Sequence, residues 1–370
     1  MAMHPTLRFR RLSASLVLLL LLQIVGGEDP AGKCHAVKGV INVMTVSGPA
    51  GTEDYAQTLV DVEKAIVEVH LECESGCVDL IMLPELFSFN ADAAPSDGFD
   101  TNPQAGAEAV GGPSSQACGR WAVRYRAYVL CPIAELDADG EGKLVVYNTA
   151  LLMDRGGEVV GKYRKRFLTY GGSVENDFSL PDEALPVFRT DFGVVGVLTC
   201  FDVHFTALWQ ELNDLKVDLV LWPSAFDGRQ LVRAHSITHH YPIVLNGLGV
   251  FFEAGGQEVF TPCEGVRGAY EVAVARMDTD QQIVYRNDPR NRGRALTDEV
   301  LEKHRDCLQG ELIDDVMIAI RSVCHNVSAS STLAAHGVRG MRAYRAEAKR
   351  YSEAWRAARK PIPSTLEGLE

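Results

Sequence analysis

Apolar positions along this chain recur with two periods. Residues 40–46 form an apolar, β-rich run that predicts a strand. Residues 52–73 place Leu59, Val62, Ile66 and Val69 on one helical face, which predicts an amphipathic helix. Residues 78–83 predict a second, buried strand that runs into Glu85. Residues 90–112 are rich in Ala, Asp, Gly and Pro and read as a long surface loop. A helix over 115–126 then leads into strands over 127–133 and 144–153. Gly156-Gly157 turns the chain into an extended run over 158–165. Residues 187–190 and 194–199 read as a second hairpin. A helix over 206–215, a strand over 217–222, a helix over 229–239 and a strand over 243–250 follow, then short strands to 285. Strands alternating with helices, with some hairpins, argue an α/β fold with a mixed sheet.

Past residue 285 the pattern becomes charged and helical, so residues 286–370 are expected to form a helical C-terminal extension. Met341, Tyr344, Ala348, Tyr351, Trp355 and Ala358 follow a three–four spacing, one stripe of a helix. Its other faces carry Arg342, Arg345, Lys349, Arg350 and Arg356. We read it as a terminal helix docked on the acidic body. The sharper alternative is contact with a protein or a membrane surface through residues 341–358.

Composition narrows the function classes. The 370 residues suffice for one large domain with additions, and the formal net charge of −13 argues against a nucleic-acid partner, which needs a basic face. Arg8, Arg10 and Arg11 precede a short leucine-rich run that ends near Gly26-Gly27. That arrangement reads as a signal peptide over 1–27, with an uncleaved anchor as the weaker alternative. The expected destination is extracellular, or a vesicular lumen. Nine cysteines then matter, because an odd count in a secreted chain leaves one thiol free or paired between chains. If Cys200 is the free one, the other eight can form up to four disulfides. Asn326-Val327-Ser328 is a glycosylation sequon.

Three short segments carry the candidate chemistry: Leu83-Pro84-Glu85-Leu86, Tyr163-Arg164-Lys165 and Thr199-Cys200-Phe201-Asp202. Cys200 ends an apolar strand and precedes a helix, where backbone N–H groups favour a thiolate and can hold an oxyanion. A buried core cysteine is the plainer alternative. Strand alternation puts Tyr163 and Lys165 on one face, with Lys162, Arg164 and Arg166 on the other. An inward lysine demands a carboxylate or oxyanion partner. Glu85 is the acid at the end of an apolar run, where desolvation suits a general base. His235 and His239 have i, i+4 spacing that could bind zinc, but an accompanying Glu and a third ligand are lacking, so no metal is expected. Cys200 with His204 offers a weaker Cys–His pairing. Trp222-Pro223-Ser224-Ala225-Phe226 closes the next strand and offers an aromatic wall.

The order and flanks of these segments resemble the carbon–nitrogen hydrolase (nitrilase) superfamily, and Thr199-Cys200-Phe201-Asp202 looks most like its secreted vanin and biotinidase branch. The resemblance covers residues 38–285 and implies a four-layer αββα sandwich. It implies Glu85 as base, Lys165 as oxyanion stabiliser and Cys200 as nucleophile. Val174-Glu175-Asn176-Asp177-Phe178 resembles a stretch that supplies a second, orienting glutamate, here Glu175. Phe201, Trp222 and Phe226 are the candidate substrate-binding residues. The implied activity is hydrolysis of a small-molecule secondary amide of the pantetheine or biotinyl-lysine type, through a thioester and without a cofactor. Monomer and homodimer are both compatible. A nitrile or carbamoyl-amide hydrolase, or a non-catalytic binding protein on this scaffold, are the alternatives. The segments flanking Glu85 and Lys165, and the short remainder after residue 285, depart from the vanin pattern.

Overall fold

The computed structural model describes residues 39–48, 54–72, 77–89, 103–169, 175, 177–246, 250–259, 263–288, 294–324 and 327–358. The chain divides into residues 1–35 and 36–370. The segment expected to be a signal peptide, most of the 90–112 loop and Asn326 of the sequon lie outside the described residues.

In chain order, β1 (Val40–Ser47) is followed by α1 (Tyr55–Glu72), β2 (Leu80–Met82), α2 (Pro113–Tyr125), β3 (Tyr128–Ala138), β4 (Leu144–Met153) and β5 (Val159–Arg164). Next come β6 (Val187–Thr190), β7 (Gly193–Val197), α3 (Thr206–Asp214), β8 (Leu219–Trp222), α4 (Arg229–His239), β9 (Ile243–Leu245) and β10 (Phe251–Phe252). Then follow β11 (Cys263–Arg267), β12 (Tyr270–Asp278), β13 (Gln282–Tyr285), α5 (Arg294–Lys303), β14 (Leu308–Leu312), β15 (Met317–Ser322), α6 (Ala329–Ala335) and α7 (Met341–Ala358). A seven-stranded sheet runs β11-β12-β1-β2-β3-β4-β5, and a five-stranded sheet runs β10-β9-β8-β7-β6.

Side-chain alternation decides how these sheets stack. Ile41, Val43, Leu80 and Met82 enter one core with Val195, Val197, Leu219 and Leu221 of the second sheet, so the two sheets pack face to face. Met44, Val46, Ile81 and Leu83, one register step away, enter a second core with Val62, Ile66 and Val69 of α1 and Trp121 of α2. Trp209 and Leu212 of α3 and Val232 of α4 cover the outer side of the five-stranded sheet. The result is the expected four-layer sandwich of helix, sheet, sheet and helix. Truncating one of these fully buried aliphatic side chains to Ala costs about 2–5 kcal/mol. Gly119 of α2 and Gly157 of the β4–β5 turn let backbones touch, since a Cβ on Gly157 would lie 2.8 Å from the Gly119 carbonyl oxygen. The turn also needs the positive φ of 83° at Gly157.

The extension is not purely helical, which corrects the expectation for 286–370. β14 and β15 pair antiparallel, and β15 pairs with β13, so a three-stranded sheet straddles the boundary set at 285. Its core is small: Val284, Val300, Leu308, Ile318, Ile320 and Leu333. No residue of α7 is fully buried, and Ala348 and Ala358 of its stripe are exposed. Of that stripe, Met341 packs beside Ile283 and Tyr344 meets the Tyr285 ring, and the helix is tied further through Arg342. That guanidinium donates to Asn213 Oδ1 (2.9 Å) and the Val217 carbonyl (2.7 Å) and lies over the Tyr241 ring. Disulfides join Cys118 to Cys131 and Cys307 to Cys324, Cys77 is also disulfide-bonded, and Cys200 is a free thiol.

Candidate active site

The site lies beyond the carboxyl ends of strands, where open α/β sheets leave crevices. Glu85 follows β2, Lys165 follows β5, Cys200 follows β7 and Ser224 follows β8. The turn after β7 folds tightly, as a single 3-10 turn over Cys200–His204. It forces Cys200 to φ 47°, left-handed backbone that a non-glycine residue adopts only where surrounding contacts hold it. Leu86, beside Glu85, is likewise left-handed at φ 51°.

Lys165, Glu85, Glu175 and Cys200 are brought together, each at most 7% exposed. The Lys165 ammonium donates to Glu85 Oε1 (2.9 Å) and to both oxygens of Glu175 (2.8 Å each). Glu85 Oε2 accepts the Ala225 backbone N–H at 2.9 Å. Glu175 Oε2 also accepts from the backbone N–H and hydroxyl of Thr169. The Cys200 thiol lies close enough to Glu85, Lys165 and Ser224 for each to act on its ionisation. Lys165 and the two carboxylates thus form one connected network, with the Cys200 thiol beside it.

Electrostatics follow from this geometry. Burial opposes the charge on Lys165, but Glu85, Cys200 and Glu175 together outweigh it and hold the ammonium above its ordinary range. Burial raises the Glu175 carboxyl, yet Lys165 and the Thr169 and Asn148 donors bring it below its usual value. For Cys200, burial and then the adjacent Glu85 charge push the thiol up to about 12, against the pull of Lys165. At neutral pH the resting sulfur is therefore protonated, with a carboxylate beside it to take the proton.

Several contributors had not been singled out from sequence. Asn148 of β4 donates to Glu85 Oε1 (2.9 Å) and Glu175 Oε1 (2.7 Å), bridging the two acids. Its signal was a lone amide within the apolar run of β4. Asp202 is fully buried and links the cysteine turn to the lysine segment. It accepts from Thr199 N (2.9 Å), Tyr163 OH (2.6 Å) and Phe167 N (3.0 Å). Ser224 is held by its own N–H on Asn246 Oδ1 at 2.7 Å.

The three aromatic candidates separate. Phe201 is partly buried and Phe226 is 38% exposed, whereas Trp222 is fully buried. The Trp222 indole N–H donates to the Cys200 carbonyl at 3.1 Å, so it backs the cysteine turn instead of lining an open wall. His235 Nε2 lies 2.8 Å from the Val203 carbonyl and its ring stacks on Trp209, so this nitrogen and the ring face are engaged inside the fold. The described residues hold no group of three or more His, Cys, Asp or Glu arranged to bind a metal.

Comparison with known proteins fits this arrangement. The family described as carbon-nitrogen hydrolase matches residues 44–274, more than half of the chain. The chain belongs to the carbon-nitrogen hydrolase family. A carbon-nitrogen hydrolase from Helicobacter pylori superposes with a TM-score of 0.54 at 15% identity, over 66% of this chain and 90% of that one. A Saccharomyces cerevisiae member of branch 10 of the nitrilase superfamily superposes with a TM-score of 0.52 at 20% identity, over 66% and 93%. Both show a shared fold. In sequence, the chain is 32% identical to an Arabidopsis thaliana beta-ureidopropionase over 125 residues, 33% of this chain and 30% of that protein. It is 38% identical to human pantetheinase over 82 residues, 22% of this chain and 15% of the relative. The alignments with these two relatives span less than a third of either relative's length.

Proposed function

We propose that this carbon-nitrogen hydrolase is a secreted amidase that cleaves a secondary amide through a Cys200 thioester. The observation that carries the reading is a free, buried thiol beside Glu85, a carboxylate that also accepts from a fully buried ammonium. Glu85 takes the thiol proton as sulfur attacks the amide carbonyl. Lys165 and the Phe201 backbone N–H hold the oxyanion, and Glu175 and Asn148 orient Lys165 and Glu85. The C–N bond breaks as Glu85 returns its proton to the leaving amine. Water, deprotonated by Glu85, then attacks the thioester, and the thiolate leaves as the acid forms and regains a proton from Glu85. This chemistry draws on no cofactor.

A pantetheine- or biotinyl-lysine-type amide is the substrate class we favour, on the Thr199-Cys200-Phe201-Asp202 resemblance and the pantetheinase match. The match to a beta-ureidopropionase supports carbamoyl-amide hydrolysis as the second reading. Disulfide pairing at Cys118–Cys131 and Cys307–Cys324 supports an oxidising, extracellular or luminal destination.

The test is amine release from pantetheine, from biotinyl-lysine and from an N-carbamoyl amino acid. Turnover of one of the first two, abolished in Cys200→Ala, is the expected result. Turnover of the carbamoyl compound alone moves the enzyme to the second reading. Turnover that survives Cys200→Ala sinks the nucleophile, and a folded protein inert toward all three points to a binding role.

A further inference from the structure

Three segments around the catalytic network each place an aromatic ring at its margin. Phe167 lies two residues past Lys165, Phe201 one past Cys200, and Phe226 one past Ala225, whose N–H binds Glu85. Consecutive Cα atoms are about 3.8 Å apart, so these rings spring from backbone within about 8 Å of the network's own backbone. They do not point away from one another. Phe167 stacks on Phe205 with centroids 3.4 Å apart, Phe205 meets Phe201 at 5.7 Å, and Phe201 meets His204 at 5.1 Å. His204 in turn lies parallel to Phe226 at 6.4 Å. Phe167 and Phe226, at the two ends, are 37% and 38% exposed, and His204 between them is also exposed.

Single exposed apolar residues need no explanation, but five contiguous rings beside a reactive thiol do. We infer that Phe167, Phe205, Phe201, His204 and Phe226 form an aromatic rim that receives an extended apolar or aromatic arm of the amide substrate. The inference rests on the amidase reading and narrows its substrate class. The rim is continuous with the network through three backbone segments, so an arm laid on it keeps its amide within reach of Cys200. Flat rings favour offset stacking and broad apolar contact over hydrogen-bond readout. The enzyme therefore selects for the arm's surface and is tolerant of its exact chemistry.

Three probes test this: N-methylacetamide, N-methyl-4-phenylbutanamide with the arm on the acyl side, and N-(4-phenylbutyl)acetamide with it on the amine side. One armed probe should be turned over at least about tenfold more efficiently, by kcat/KM, than N-methylacetamide. The probe that gains tells which side of the amide meets the rim. Phe167→Ser and Phe226→Ser should each shrink that ratio severalfold through KM, and Phe167→Leu should shrink it less. If the Ser variants do not fold, Phe226→Leu replaces them. Binding of the armed probes to Cys200→Ala protein, measured by calorimetry, separates two failures. Binding without wild-type turnover sinks the amidase and leaves the rim. Turnover with equal efficiency on all three probes sinks the rim and leaves the amidase. A wild-type dimer in solution that Phe167→Ser dissociates would give these rings to a second copy of the chain and overturn the proposal.

Discussion

Arg164 and Lys165 are neighbours in sequence, yet their surroundings are inverted. Arg164 and Lys162 both pair with one buried carboxylate, Glu135, and Arg164 grips it with two prongs at 2.8 and 3.0 Å. Arg164 also reaches Asp137 and Glu183 and lies 3.7 Å over the Tyr147 ring. Lys165 is the reverse case, one buried cation between two carboxylates, Glu85 and Glu175. The first cluster closes its one buried carboxylate with two cations, through the rigid fork suited to permanent pairing, and its other carboxylates, Asp137 and Glu183, reach solvent. The second leaves a carboxylate in excess next to a thiol. A buried excess of that kind is costly as architecture and useful as a proton acceptor.

Alanine at each position should separate the two clusters most sharply. Lys165→Ala should lower kcat about a thousandfold or more by removing the oxyanion's cation. Arg164→Ala should leave kcat within a few fold yet cost about 3–5 kcal/mol, because Glu135 stays buried with half its partners gone. Steady-state kinetics and urea unfolding of both variants check this, and a dead Arg164→Ala enzyme with normal stability would erase the contrast.

Glu85→Gln sharpens it further. The adjacent Glu85 charge raises the Cys200 thiol, so the variant's thiol should ionise at lower pH. Iodoacetamide should then alkylate Cys200 faster at pH 8, while amide turnover falls at least about a hundredfold. Slower alkylation would place the thiol's partner elsewhere.

Asp202 gives a smaller, pH-dependent effect. Burial pushes its carboxyl up to about 6 from 3.8, despite the Tyr163 and backbone donors that pull it down. The folded chain thus holds this proton more tightly than the unfolded chain. The stabilisation it contributes is complete below about pH 4 and is lost as pH rises through 6. A two-unit difference amounts to about 3 kcal/mol at most. Asp202→Asn removes this titration, so the stability of wild type relative to the variant should fall between pH 4 and pH 7. Urea midpoints at those two values measure it, and an unchanged difference would refute the assignment. Tyr163→Phe, which removes one donor, should cost about 1 kcal/mol.

Local pattern made much of this fold legible. Alternation in 158–165 pointed Lys165 inward, where it is buried, whereas Arg164 on the opposite face is itself only 9% exposed, closed over Glu135. The helices over α1 to α4 appear within a few residues of their expected limits. What escaped notice depends on partners far away in sequence. β14 has few apolar positions of its own and becomes a strand by pairing with β15, whose short apolar run over Met317–Ile320 also pairs with β13. Asn148 was read as part of a plain strand, because its two acids sit 63 and 27 residues away. Arg342 looked like part of a solvated basic face, and only folding reveals the carbonyls and the ring it docks against.

The left-handed backbone at Cys200 has an evolutionary consequence. A non-glycine residue held there costs about 1–3 kcal/mol that glycine largely avoids. Under the proposed mechanism, cysteine at this position is a concession of stability to reactivity. A descendant relieved of chemistry would gain by drifting to glycine or asparagine at this turn, with its sheets and cores untouched. On that mechanism, the backbone angle at Cys200 records the demand of the reaction in the chain itself, apart from any substrate.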